Sequence, residues 1–369
     1  MQLTRRTALQ GLAVASLLAG NPSLAASLGV HNDPRLLVVY LRGGLDALAA
    51  MPPYGDPHLA QARGSLAPID GAPKLDSVFA LHPALEPLLP YYSAGDLLIV
   101  PATAIPGAGG SHAGAEAALF EGDSDGGDYG WLARAAYQLS HGRHPVWRAE
   151  SAELSMDLLF DLALTSPGLD IAGLCSEGAC PPGGDDLAGM IGRRAGSNTA
   201  RFIEAATNAA LALCAPHGPR VAMLELSGVD SHVAQGGTSG RLACTLDALA
   251  RGLVSFAAAS GPAWDKTVVL VVTEFGRSVS PNSQGGTDHG TASVTFLMGG
   301  SVAGARVGDR WPGLAPNRLH GGTDLAATTD VRSVVKAVLT QHLHLSRQAM
   351  ANVYPSASGL PETDGLFYS

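Results

Sequence analysis

Beyond its first 26 residues the chain has no apolar stretch that reads as a membrane span, and that leading stretch is too short and broken to remain one. No basic patch offsets the excess of 32 acidic over 23 basic residues, so no nucleic-acid partner is expected. Cysteine is scarce. Cys175, Cys180, Cys214 and Cys244 have no spacing that makes a zinc site. No G-x-G-x-x-G follows the first apolar run, which argues against a dinucleotide-dependent oxidoreductase. No internal repeat appears, and no linker divides the chain.

The N-terminus is the first positive signal. "LTRRTALQGLAVASLLAG" carries Arg5 and Arg6 ahead of an apolar stretch, and "NPSLAAS" follows with small residues. This reads as a twin-arginine export signal over residues 1–26, cleaved near Ala26. The expected partner is the twin-arginine translocation machinery, and the expected location is periplasmic or secreted. Cleavage would lower the count of 23 basic residues by two, moving the formal net charge from −9 to −11. In an oxidising compartment a local disulfide across "CSEGAC" (Cys175 to Cys180) is expected, whereas Cys214 and Cys244 lie in apolar helical patterns and read as buried thiols.

Five short apolar runs read as strands: Leu36–Leu41, Leu97–Val100, Val221–Leu226, Val268–Val272 and Val294–Met298. Apolar throughout, they suit strands covered on both faces. Leu242, Leu246, Leu249, Leu253 and Phe256 make one stripe of a helix. Val334, Val335, Val338 and Leu339 make another, with Asp330 as its N-cap. Residues 185–214 fit a third helix. Strands alternating with helices predict an α/β fold with a mainly parallel sheet. Residues 27–369 read as one domain, with an irregular Gly-, Pro- and Asp-rich insertion around 122–184.

In such sheets, ligands bind at the carboxyl ends of the strands. Arg42 and Asp46 follow the first run, and Ser111 and His112 the second. Asp230, His232 and Gln235 follow the third, and Glu274 and Arg277 the fourth. Asp288 and His289 precede the last. Singly, each has a plain reading: Asp46 or Ser111 as a helix cap, Asp230 and His232 as turn residues, Glu274 and Arg277 as a surface pair. Together they predict one cluster of oxygen and nitrogen donors, suited to Zn, Mn, Mg or Ca. A metal beside a serine at a helix start would favour its alkoxide. An arginine grips a phosphate or sulfate through paired hydrogen bonds. The combination describes metal-assisted transfer at phosphorus or sulfur.

The segments "LRGGLDALAAMPPYGDP", "SHAGAEAALFEGD", "GVDSHVAQGG", "TEFGRSVSPNSQGGTDHG" and "TTDVRSVVKAVL" occur in an order that resembles the bacterial family called domain of unknown function 1501. The resemblance runs from about Leu36 to Tyr354. That family looks like a distant relative of the alkaline phosphatase and sulfatase superfamily. The kinship implies a doubly wound α/β/α sandwich. It also implies Ser111 as nucleophile, and Asp46, Asp230, His232 and His289 as ligands of a divalent metal, with Glu274 at a further ligand position. The reading of the residues adds Asp288 as a ligand, and Arg277 and Arg42 to bind substrate. The chain departs from the pattern in places. Glu274-Phe275 stands where the superfamily has Asp-His, and "GGSHAG" and "GVDSH" stand where the family has "RSHF" and "GWDTH".

The expected function is thus an exported, metal-dependent hydrolase of small-molecule phosphate or sulfate esters. The alternative is a catalytically silent periplasmic binding or assembly protein that keeps the fold and meets a protein partner.

Overall fold

Each of the five apolar runs forms a strand in the computed structural model, which describes residues 33–67, 71–108, 111–120, 130–140, 187–215 and 218–368. The export signal, the Cys175–Cys180 loop and most of 122–184 lie outside these residues. The strands are β1 (Arg35–Arg42), β2 (Leu97–Ala104), β3 (Val221–Ser227), β4 (Thr267–Thr273) and β5 (Ser293–Met298), with two-residue β6 (Arg306–Val307) and β7 (Thr329–Asp330) beside them. The described helices are α1 (Ala47–Ala50), α2 (Leu59–Arg63), α3 (Leu89–Ala94), α4 (His112–Phe120), α5 (Trp131–Ser140), α6 (Leu187–Cys214), α7 (Arg241–Ser260), α8 (Val331–Ala337), α9 (Arg347–Val353) and α10 (Pro355–Ser358).

The second strand outruns its sequence signal. Proline has no N–H for a ladder, so "LLIV" reads as ending at Val100. Instead β2 continues through Pro101, because the register against β5 shifts between Val100 and Thr103 and leaves no ladder bond for Pro101 to make. The stretch expected to be irregular contains α5, whose Trp131, Leu132 and Ala135 are buried.

Two apolar layers explain why the strands are mostly apolar on both faces. Leu37, Val39 and Leu41 point into one layer, with Phe202 of α6 and Leu242, Leu246, Leu249, Leu253 and Phe256 of α7. Leu36, Val38 and Tyr40 point into the other, with Leu119 of α4, Trp131 of α5, Val334 and Val335 of α8, and Met350 of α9. The fold is therefore mixed α/β, with helices on both faces of a central sheet. By length and apolarity α7 could cross a membrane. Its stripe is buried in the protein core instead.

The strand order is β3-β1-β4-β5-β2-β6, with β7 against β2. β1 is parallel to β3 and β4, and β2 to β6 and β7, while β5 is antiparallel to both its neighbours. The sheet is mostly parallel. Because β5 runs the other way, its beginning lies at the edge where β1, β3, β4 and β2 end. Residues just before β5 therefore meet the loops that follow the other four strands.

One buried histidine makes the fold pH-sensitive. His342 donates from Nε2 to the Arg35 carbonyl at 2.8 Å and stacks on Phe367. Burial pushes its pKa down to about 4 from the ordinary 6.5; the Arg35 carbonyl opposes this, and His344, Arg220 and Lys266 add to it. The fold holds the ring neutral while the unfolded chain protonates it. Stability is therefore complete above pH 6.5 and falls as pH drops toward about 4. Urea unfolding across this window is expected to lose stability of order 3 kcal/mol, and His342→Gln to remove that slope.

Candidate metal site

β1 ends at Arg42, and two glycines follow. Gly43 has φ +122°, and a Cβ there would lie 2.8 Å from the Asp230 Cβ. Gly44 has φ +76°, and a Cβ there would lie 2.4 Å from the Phe275 ring. Only glycine takes this turn and lets the loops after β3 and β4 close against it.

Those loops bring three ligand-bearing side chains together. His112 opens α4, Asp230 follows β3, and His289 precedes β5. One ligand atom from each lies within 4.8 Å of the others, and all three residues are half-buried. His112 Nε2 is 3.7 Å from Asp230 Oδ2. The His112 and His289 rings meet edge to face, with centroids 4.5 Å apart. His289 is held by pairing of its strand-like segment. Arg277 and His289 form an antiparallel bridge, Ser278 N–H donates to the Asp288 carbonyl, and Gly290 N–H donates to the Gly276 carbonyl.

Behind the three lies a second layer that aims them. Glu274 Oε1 is 2.8 Å from His112 Nδ1. A carboxylate oxygen only accepts, so Nδ1 carries a proton, and Nε2 is the ring nitrogen turned toward Asp230 and His289. Gly43 N–H donates to the same Glu274 oxygen and the Thr273 hydroxyl to the other. Arg277 is buried. It donates to the Gly43, Gly44 and Thr287 carbonyls and, at 2.7 Å, to Asp230 Oδ1. Phe275 faces both His112 and His289, at 4.8 and 4.6 Å between ring centroids. It makes an apolar wall beside both rings.

Burial alone would raise the Asp230 carboxyl. The Arg277 guanidinium, aided by His232 and His112, outweighs it and holds the group below its ordinary value. Burial, with Arg277, His112 and His232 nearby, pushes His289 down, which keeps its ring neutral and able to ligate. His232 and Asp288 flank the group. His232 lies 3.3 Å from Asp288 Oδ1 and 3.5 Å from Asp230 Oδ1. The Asn282 amide donates to Asp288 at 2.9 Å and is the chief cause of that carboxyl's lowered pKa.

Other expected site residues have different partners. Asp46 is buried and caps α1, accepting from the Leu48 and Ala49 N–H groups. Its second oxygen takes Arg63 at 2.5 Å and Gln235 at 2.6 Å. Four donors satisfy it, and none belongs to the histidine group. Arg42 pairs with Glu116 at 2.8 Å and Glu225 at 3.3 Å. Ser111 is exposed, and its hydroxyl accepts from the Gly114 N–H, as a helix cap does.

His112 was not among the ligands expected from sequence. The available signal was its position, next to Ser111 at the start of a helix that follows a strand.

Residues 185–354 match the family described as Protein of unknown function (DUF1501). No curated protein matches the chain, and no solved structure does. The matched stretch carries Asp230, His232, Glu274, Arg277, Asp288 and His289.

Proposed function

We propose that the protein is an exported, metal-dependent hydrolase of phosphate or sulfate esters, distantly akin to alkaline phosphatases and sulfatases. In this reading it is delivered to the periplasm or beyond by the twin-arginine route. The carrying observation is the convergence of His112, Asp230 and His289 at the carboxyl edge of the sheet. Two imidazoles and one carboxylate fit a zinc-type ion and leave a coordination position for substrate. A divalent ion held there would supply Lewis-acid chemistry, polarising an ester oxygen and stabilising negative charge on an attacking one.

The chain's own groups have distinct tasks. Glu274 orients the His112 ring, and Arg277 keeps Asp230 charged and in place. Phe275 keeps water from one side, which strengthens charge interactions within the site. Ser111 is the nucleophile of this reading. Its hydroxyl is exposed beside His112, at the positive end of α4, where an anionic ester is favoured.

One observation favours a second reading. Arg277 and Arg42 already give donors to protein acceptors. That suits a catalytically silent binding or assembly protein in which neither of these two arginines is left to grip an ester.

Metal analysis of protein purified from its native host, followed by a panel of aryl phosphates and sulfates, separates the two. The hydrolase reading expects co-purified metal and hydrolysis of one ester class, lost in Ser111→Ala. Metal-free protein whose activity survives Ser111→Ala contradicts it. Metal-loaded protein inert on the whole panel favours the silent reading.

A further inference from the structure

We infer that Glu274 serves the site as a positioning residue behind His112 rather than as a ligand, and that the site takes a single ion. This rests on the metal reading above.

Glu274 is buried at 1 % exposure, and each of its oxygens is engaged. Oε1 accepts from Gly43 N–H at 2.8 Å and from His112 Nδ1–H at 2.8 Å; Oε2 accepts from the Thr273 hydroxyl at 2.9 Å. Thr273 is itself fixed, since its oxygen accepts from Leu45 N–H. The carboxylate therefore faces the Nδ1 side of His112, and an ion belongs on the Nε2 side. A carboxylate behind a ligating imidazole fixes its tautomer and raises its basicity.

The separations fit one ion. Two ligand atoms each about 2.0–2.1 Å from a tetrahedral ion lie about 3.4 Å apart. His112 Nε2 and Asp230 Oδ2 are 3.7 Å apart, and all three ligand atoms lie within 4.8 Å, so small side-chain shifts would close them on an ion. Arg277 occupies Asp230 Oδ1, which leaves that carboxylate to ligate through one oxygen. Among the described residues a second ion has little to hold it. Asp46 already accepts four hydrogen bonds, Glu274 three, and Asp288 is largely exposed and tied to Asn282. Two imidazoles among three ligands favour zinc and cobalt over magnesium and calcium.

Cobalt(II) titration of the full exported chain, read by visible absorption, tests both parts. Wild type is expected to bind one equivalent with the intense bands of a tetrahedral site. Glu274→Gln keeps an oxygen that can accept from His112 Nδ1–H. It is expected to keep the one equivalent and the band shape while affinity falls about 10–100-fold. Thr273→Val, which removes a single hydroxyl from the carboxylate, should weaken binding in the same direction and serves if Glu274→Gln does not fold. Unchanged affinity in the variants overturns the positioning role. A folded Glu274→Gln with no binding, or with the bands of a different geometry, makes Glu274 a ligand and also overturns it. Two equivalents in wild type overturn the single ion. A wild type that binds no cobalt overturns the metal reading itself, and this inference with it.

Discussion

His112→Ala is expected to abolish stoichiometric zinc or cobalt binding and, with it, any ester hydrolysis. His112 contributes one of three side chains whose ligand atoms share a 4.8 Å neighbourhood, so two would remain. The loss should exceed the ~10–100-fold fall that follows removal of an outer partner such as Glu274. The fold should survive. His112 is half-buried at the first turn of α4, and that helix is anchored by Leu119 and Phe120 in the core. Isothermal titration with zinc, alongside circular dichroism, checks both halves. Tight binding that persists in His112→Ala would mean that the ion sits elsewhere.

Asp46→Asn should show the opposite profile: a large loss of stability with metal binding intact in the folded molecules. The amide keeps one oxygen for the α1 cap, but it leaves the fully buried Arg63 guanidinium without its counter-charge. Removing one partner of a buried ion pair costs about 3–5 kcal/mol. That is a large share of the ~5–15 kcal/mol by which domains are stable, so the urea midpoint should fall sharply. Cobalt stoichiometry at low urea should remain at the wild-type value. A variant of wild-type stability that loses the ion would return Asp46 to the ligands.

These two residues show where the sequence was legible and where it was not. Strand positions followed from apolar runs, since "LLVVYL" and "VVLVV" must be covered on both faces wherever they sit. The stripe from Leu242 to Phe256 and the Asp330 cap were equally local, and α7 and α8 carry them. The carboxyl edge as the meeting place of polar residues followed from sheet geometry alone. Individual roles did not, because a carboxylate has the same chemistry as a cap, an ion-pair partner or a ligand. Asp46 is drawn inward by Arg63 on α2 and by Gln235 after β3, and neither contact leaves a mark on "RGGLDAL". Arg277 reads as a substrate-gripping arginine until the Gly43 and Gly44 carbonyls, distant in sequence, are found on its guanidinium. His112, a candidate by position, is not singled out as a ligand for the converse reason. In "GGSHAG" it stands beside a serine and apart from other donors, and only folding brings it to Asp230 and His289.

Glu274 and Phe275, side by side after β4, have separate tasks. Phe275 makes an apolar wall. Its ring packs on Gly44 and lines His112 and His289, while Glu274 supports His112 from behind.

The most direct test is the anomalous scattering of a crystal of the protein grown with zinc. One peak is expected within about 2.0–2.2 Å of His112 Nε2, an Asp230 oxygen and a His289 ring nitrogen, with Glu274 still on His112 Nδ1. No peak at these three side chains, or a peak on Asp46 or Glu274, would contradict the account.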